Sequence, residues 1–514
     1  MPRYAAVDIG SNSVRMEVAE ISPPENGRTP AVRILASDRE VTRLGEGVFR
    51  AGRVSPEAMA LTGEVLARFA KTHQRFDLDG IRVVATSAIR DARNQEEFLT
   101  FASRAIGARV EVISGAEEAR LIHLGVQLRW PHTGKRVLIV DIGGGSAELI
   151  LGDRGSLGDA YSKPLGAVRL TEMFLKTDPP APAELDRLRV YIDQKLARPV
   201  ETIGRAPIDR VIATSASANA VVCAVNRLPR TQREKADRMR ASLKQIRKLF
   251  KQVASLSLDR RRGITGIGPK RAEIIIPGVT VLLRTLESFR QPTLYYSAGG
   301  LRDGIVADLF ARGVGRELSM LARDQRKIVE QLARHYGVEL PHARKVAELS
   351  HSLFVEAAPL HGLPRAYGKL LQAAALLKDV GHYVSDTRHH RHSYYLIANS
   401  PLAGFTAIER EFIANLCRYH RKSVPTTFHP TFAALPAEEQ EAVRKLVPLL
   451  RIADALDRAQ KQTVRGVRCL LNGDSVEVSV DSGSDAGIEL WAAEQNREVF
   501  QEVFGRSLTF RRSA

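Results

Sequence analysis

The sequence predicts an α/β protein: two similar α/β domains in tandem, then an all-helical domain and a small mixed α/β tail. Three observations lead there. "DIGSNS" at Asp8 returns as "DIGGGS" at Asp141, and "VATSAI" at Val84 returns as "IATSAS" at Ile212. Asp8 to Asp141 is a step of 133 residues and Val84 to Ile212 a step of 128, so the two copies share one internal layout. Apolar Val/Ile runs alternate with helical periodicity up to about residue 310, after which strand signals fade until residue 468.

The elements follow in order. Each repeated Asp-Gly block lies between apolar strand-like runs, which reads as a tight hairpin. The runs "RVVAT" (82–86) and "RVLIVDI" (136–142) are continuous and β-branched, as suits buried strands. "SPEAMALTGEVLARFAKTH" (55–73) reads as a helix with Ser55 as N-cap and Pro56 in the first helical position. "RKIVEQLARHYG" and "YGKLLQAAALLKDVG" carry helical periodicity, and "RCLLNGDSVEVSVDSG" (468–483) reads as a hairpin turning at Asn472-Gly473. The resulting boundaries are 1–125, 126–310, 311–460 and 461–514.

Composition narrows the class of function. Of 514 residues, 44% are hydrophobic and 26% charged, an ordinary globular balance. Cys223, Cys417 and Cys469 are scattered and odd in number, against a disulfide framework. No run of 18 apolar residues appears and the first residues lack an apolar leader core, so no membrane partner is expected and the default location is the cytoplasm. The 76 Lys/Arg outnumber the 58 Asp/Glu, for a net charge of +18. Between Arg227 and Arg271, 15 basic residues face only Glu234, Asp237 and Asp259. Such a balance implies a polyanionic partner: nucleic acid, an acidic membrane or a phosphate polymer.

The hairpins suggest which. A glycine-rich turn can aim several backbone N–H groups at one point, and glycine lets a phosphate come close. An adjacent Asp can hold Mg²⁺, which keeps most of its waters and takes few protein carboxylates. Two such hairpins across a cleft would clamp a phosphoryl group and its metal. Glu148, seven residues after Asp141, offers a second carboxylate. In "ISGAEEARLI", Ser114 and Glu117 read as a capping box that occupies Glu117. Glu118 points about 100° away and is left free to act as a general base. Arg90, just past the first Ala-Thr-Ser strand, suits phosphate oxygens.

Taken together, "AAVDIGSNSVRM", "ATSAIR", "ISGAEEARLI", "VDIGGGSAEL", "HRHSYYLIANSPLAGF" and "RYHRK" resemble the exopolyphosphatase/guanosine pentaphosphate phosphohydrolase (Ppx/GppA) family over nearly the whole chain. The resemblance implies two tandem actin-like domains of the sugar kinase, chaperone ATPase and ribonuclease H-like kind, followed by an HD-like helical domain. It implies Mg²⁺-dependent release of orthophosphate from a terminal phosphoanhydride, closest to an exopolyphosphatase. Carried over by motif, Glu118 would be the catalytic base and Asp141 and Glu148 the metal ligands. Asp8, Ser11, Asn12, Ser13, Arg90, Gly144, Gly145 and Ser146 would surround the phosphates. The sequence departs from the family at Ala216, where the second Thr/Ser turn commonly has glycine.

In the helical domain the HD metal set would fall on His351, Asp379 and Asp454, with Lys378 at the position of the paired His. An ammonium is no metal ligand, so no working metal site is expected there. The basic residues Arg388, His389, His390, Arg391, His392, Arg418, His420, Arg421 and Lys422 read instead as an anion track. Its members singled out as polyanion contacts are Arg391, His392, Arg421 and Lys422, joined by Arg260, Arg261 and Arg262 of the earlier basic segment.

The expected substrate is inorganic polyphosphate, with pppGpp as the alternative. A sugar-kinase reading is open to the same fold. "GITGIGPKRAEII" (263–275) resembles a helix-hairpin-helix motif, which makes nucleic acid a less favoured partner of another class. Family members are often dimers, which makes a homodimer an implied partner.

Overall fold

The computed structural model describes residues 1–22, 30–314, 320–483 and 485–512. They form two compact units, Met1–Gly313 and Val314–Ala514.

The first unit contains two sheets. In the first, β1 (Arg3–Ile9), β2 (Val14–Ser22) and β3 (Ala31–Glu40) form an antiparallel meander, and β4 (Gly80–Ala85) and β5 (Val110–Val112) extend β1 in parallel. The second repeats this plan with β6 (Arg136–Ile142), β7 (Ala147–Asp153), β8 (Ser156–Lys163), β9 (Arg210–Thr214) and β11 (Thr293–Tyr296). It adds β10 (Arg240–Ser242) as an antiparallel edge. The repeat legible in the motifs is thus a repeat of topology. Central strands β1, β4, β6 and β9 bury most of their residues on both faces, which explains their Val/Ile/Ala-rich runs, with Arg82 of β4 the buried charged exception.

Two helices join the sheets. Helix Gly115–Arg129 sends Leu121 into the core of the first sheet, and Ala119, Ile122 and Val126 against Val137, Ile139 and Ile212 of the second. It therefore runs through residue 125, where the sequence reading ends the first domain. Helix Leu301–Val314 returns to the first sheet, packing Ile305, Val306 and Phe310 on Tyr4, Ala6 and Val84. The two helices touch through glycines: a Cβ on Gly304 would lie 1.7 Å from the Leu121 carbonyl oxygen, and one on Gly125 2.0 Å from that of Gly300. No side chain larger than hydrogen fits this crossing.

Helix Pro56–His73 starts as read, with Ser55 Oγ accepting from the Ala58 N–H. The box at Ser114 is only half made. Ser114 Oγ accepts from the Glu117 N–H, but the Glu117 carboxylate turns to Arg120 at 2.8 Å.

The second unit is built on helices Arg323–His335, Leu340–Glu356, Ala366–Leu377, His389–Ala398, Ala407–Tyr419 and Ala437–Ala455. A sheet of β12 (Val464–Asn472), β13 (Ser475–Ser482) and β14 (Ser507–Arg512) completes it. The β12–β13 turn is Gly473-Asp474, one residue beyond the expected Asn472-Gly473, because Asn472 still pairs with Ser475; Gly473 has positive φ. Val464, Val476, Val478 and Leu508 share one core with Leu349, Phe412 and Leu450, so the tail is packed into the helical layer and lacks a separate core. Among the described residues, no helix is long and apolar enough to cross a membrane.

Candidate active site

The two Asp-Gly hairpins close on each other in the first unit. Both turns carry the same hydrogen bond: Gly10 N–H to the Ser13 carbonyl at 3.2 Å, and Gly143 N–H to the Ser146 carbonyl at 3.0 Å. A Cβ on Gly144 would meet Ser11 Cβ at 2.9 Å, and one on Gly145 would meet Ser87 Oγ and the Phe49 ring at 2.5 Å. Glycine is required there because the hairpins approach to backbone distance.

Between them lies a cavity of about 290 Å³. Asp8, Ser11, Asn12, Ser13, Glu118, Asp141, Gly144, Gly145 and Ser146 line it, so most residues singled out in the sequence meet at one place. Two do not reach the cavity surface. Glu148 lies beneath it, 1% exposed, opposite Asp141 across the β6–β7 pair and accepting from Ser162 Oγ at 2.8 Å. Arg90 is turned to Glu118, 3.3 and 3.4 Å from Oε2, and donates to the Ile113 carbonyl at 2.6 Å.

The electrostatics are dominated by crowded acids. Burial raises Asp8, although Arg15 opposes it. Burial, with Asp8 added and Arg15 opposing, pushes Asp141 up to about 6. Burial, eased by Arg90 but reinforced by Asp8 and Asp141, pushes Glu118 up to about 7. Glu148 is raised well above the carboxylate range by burial and by the charges of Glu118 and Asp141. Like charges held together out of water need a cation to stay ionised. Carboxylate oxygens are the donor type that a hard divalent ion such as Mg²⁺ takes.

A ring of arginines also lines the cavity: Arg15, Arg39, Arg233, Arg271 and Arg302. Sequence reasoning missed all five. Arg15 sits within the first quoted motif, directly opposite Asp8 in the hairpin register. The others come from separated segments. Burial and neighbouring guanidinium groups push Arg39 down to about 9, and burial with Arg15 pushes Arg271 down to about 10. These cations repel one another across a space that an anion would fill.

The second Thr/Ser turn is also a lining element. Its strained position is Ser215, at φ +79°, next to Ala216, with Ser215 Oγ donating to the Ile142 carbonyl at 2.9 Å.

Several sequence expectations are corrected. Arg261 is 6% exposed and paired with Asp178 at 2.7 Å, so it is structural and no polyanion contact. Arg262 is engaged by Asp259 and Glu273, and Arg260 is exposed. In the 263–275 motif, a Cβ on Gly266 would strike the backbone of Cys223 and Ala224. Its turn is thus packed on helix Ser215–Val225.

In the second unit, the HD-like set falls on His342 in place of His351. Lys378, 2% exposed, lies among His342 Nε2 at 3.2 Å, Asp454 at 2.6 Å and the Asp379 carboxylate. His351 pairs with the Gln372 amide at 3.1 Å. The two histidines are nine residues apart on one helix, a turn of about 900°, so they face opposite ways. His389 and His420 are buried and directed at Asp379; they line the inner wall of this unit's cavity and not an exposed surface track. Arg391 is exposed and His392 half-buried, and neither borders the cavity of this unit, whereas Arg421 and Lys422 do.

Comparison with known proteins agrees with this architecture. Residues 22–312 match the model of the Ppx/GppA phosphatase family, and residues 325–498 that of Ppx/GppA phosphatase domain III. The family member from Aquifex aeolicus is 30% identical, with a TM-score of 0.53, over 61% of this chain and 98% of that one. An exopolyphosphatase-like protein is 29% identical, with a TM-score of 0.56, over 61% and 98%. An exopolyphosphatase from Cytophaga hutchinsonii shares the fold at 24% identity and a TM-score of 0.55, over 61% and 98%. Two facing Asp-Gly hairpins, a buried acid cluster and a family match across most of the first unit lead to one conclusion: the chain belongs to the Ppx/GppA phosphatase family.

Proposed function

We propose that this protein is an exopolyphosphatase, removing the terminal phosphate of inorganic polyphosphate by attack of water. The observation that carries this reading is the pairing of a buried acid cluster with the arginine ring in one cavity. Glu118, positioned by Arg90, takes a proton from water as the oxygen attacks the terminal phosphorus. The bond to the bridging oxygen breaks, giving orthophosphate and a chain one unit shorter. Serines and turn amides of the two hairpins orient the terminal phosphate, and the arginines neutralise the units behind it. Asp141 and Glu148 would hold the Mg²⁺, which supplies positive charge to the transferring phosphoryl group.

Guanosine pentaphosphate is the second reading. Tyr296 and Asn219 line the same cavity and offer a ring and an amide to a base. Phosphate release from long-chain polyphosphate and from pppGpp, measured side by side with Mg²⁺, tests the choice. A higher kcat/KM on polyphosphate is expected, and a preference for pppGpp would overturn the first reading.

Two further outcomes are expected. Gly145→Ala puts a methyl group against Ser87 and Phe49 and pries the hairpins apart. Its kcat/KM should drop roughly a hundredfold, as about 1 Å of misplacement does elsewhere. Arg39→Gln with Arg271→Gln should raise KM for polyphosphate more than it lowers kcat, with a shallower salt dependence than the parent. An unchanged KM would remove the arginine ring from substrate binding.

A further inference from the structure

Beside Lys378 the second unit gathers three imidazoles around the far oxygen of Asp379. Asp379 Oδ2 faces the ammonium of Lys378. Its Oδ1 lies 3.9 Å from Nε2 of each of His382, His389 and His420. Nε2 of His389 and Nε2 of His420 are 3.2 Å apart. The ligand atoms of Asp379, His382 and His389 all fall within 4.8 Å of one another. Around a tetrahedral ion with metal–nitrogen bonds of about 2.0–2.1 Å, donor atoms stand about 3.3 Å apart. The His389–His420 spacing is already close to that value, and the carboxylate oxygen, at 3.9 Å from each Nε2, must close by about 0.6 Å.

The other ring nitrogens decide which form these histidines take. His420 Nδ1 is 2.6 Å from the Cys417 carbonyl, which can only accept, so Nδ1 carries the proton and Nε2 the lone pair. His382 Nδ1 is 2.7 Å from the Asp386 carboxylate and is protonated for the same reason. His389 Nδ1 lies 3.3 Å from the Asp386 carbonyl and 3.4 Å from Arg421 Nη1. When it donates to the carbonyl, the Nε2 lone pairs of His389 and His420 face each other at hydrogen-bond distance with no proton between them. That is an unfavourable contact unless a cation sits there. Histidines whose Nδ1–H is tied to a carbonyl or carboxylate, with Nε2 aimed at a common point beside a carboxylate, have the outer-shell arrangement of metal ligands.

We propose that Asp379, His382, His389 and His420 form a transition-metal site of N₃O donor set, best suited to Zn²⁺. Imidazole donors select a borderline ion over Mg²⁺. The site is distinct from the Lys378 position. There the ammonium already serves as counter-cation to Asp379 and Asp454, so the metal occupies the other face of Asp379. Four protein ligands make the site structural. It ties the turn Val380–Tyr383 to the start of helix His389–Ala398 and to the end of helix Ala407–Tyr419. The charged groups around it are mixed: Asp454 and Asp457 on one side, and Arg421, Lys422 and Arg458 at the cavity rim. This revises the sequence expectation of a metal-free helical domain: the ligands share only Asp379 with the HD-like set and leave Lys378 outside the site.

The test uses the full chain, without an affinity tag that contains histidine, stripped with chelator and titrated with Co²⁺ as a visible probe. Uptake of one equivalent with the intense d–d bands of a tetrahedral N/O site is expected, displaced by Zn²⁺ and accompanied by a rise in Tm. His420→Gln and, separately, His389→Gln should weaken Co²⁺ binding at least about tenfold. Asp141→Asn in the first unit should leave the spectrum unchanged. Absence of a stoichiometric tetrahedral spectrum in the parent chain overturns the proposal whatever the variants do. Retention of that spectrum in both histidine variants, or its loss in Asp141→Asn, overturns it as well.

Discussion

Glu118→Gln is expected to lower kcat for phosphate release at least about a hundredfold while leaving polyphosphate binding within about twofold. The amide keeps the shape of the side chain and its contact with Arg90, but it cannot accept a proton from water. The carboxylate sits 7% exposed at the first turn of helix Gly115–Arg129, on the wall shared by both sheets. Burial together with Asp8 and Asp141 lifts it to about 7, against the pull of Arg90. A base must be ionised to act, so the parent activity should fall as pH drops through this region. Mg²⁺ held by Asp141, as proposed, would offset its charge, so raising Mg²⁺ should shift the midpoint below 7. In Glu118→Gln the residual rate should lose that acidic limb. A variant with normal turnover, or with the same limb, would move the role of base to another group.

The same site shows how far a sequence can be read. The hairpins were legible because each is local: acid, glycines and serines lie within six residues, and their spacing survives any tertiary arrangement. Glu118 was legible as the acid left over beside an N-cap, although its neighbour was misassigned. Glu117 makes ion pairs with Arg82 and Arg120 and does not return to Ser114. The arginine ring was not legible. Arg39 closes an edge strand, Arg233 lies in a short 3-10 turn, Arg271 in a one-turn helix and Arg302 at the start of the last helix of the unit. Only the fold brings them to one cavity, and in the sequence each is one basic residue among 76. Arg261 shows the converse. A run of three arginines looks like a surface patch until the middle one proves to be folded onto Asp178. Naming His351 where the fold uses His342 is an error of helical phase, which a lone histidine cannot set without knowing which face is buried.

The second large effect expected is on stability. Asp308→Ala should destabilise the first unit by about 3–5 kcal/mol, because it strips the shared partner from a buried ionic network. Asp308 contacts Arg82 at 3.0 Å, Arg120 at 2.8 Å and Arg312 at 2.7 Å, while Glu117 bridges Arg82 and Arg120. Arg82, 5% exposed, keeps Glu111 at 2.5 Å and Glu117 at 3.1 Å, but removing Asp308 leaves Arg82, Arg120 and Arg312 sharing those two acids in a buried network. The effect can be isolated in a chain with two tryptophans. Trp491 is 64% exposed and can be replaced by Phe, leaving Trp130, edge-to-face with Tyr295 and under the Arg210 guanidinium, as reporter of the first unit. Urea unfolding followed by Trp130 emission should then show the lower midpoint. Burial alone would raise the Asp308 carboxyl, but Arg120, Arg312 and Arg82 outweigh it and hold the group well below its ordinary value. A carboxyl depressed in the folded state contributes stability above its unfolded pKa, near 3.9, and loses it as pH falls below that. The parent should therefore weaken more steeply in acid than Asp308→Ala, and the gap between the two should narrow as pH falls. A constant gap would mean that Asp308 matters for packing and contributes little through charge. Because Arg120 and Glu117 share the helical turn of Glu118, the variant should also lose activity before it loses structure, which ties the buried network to the placement of the base.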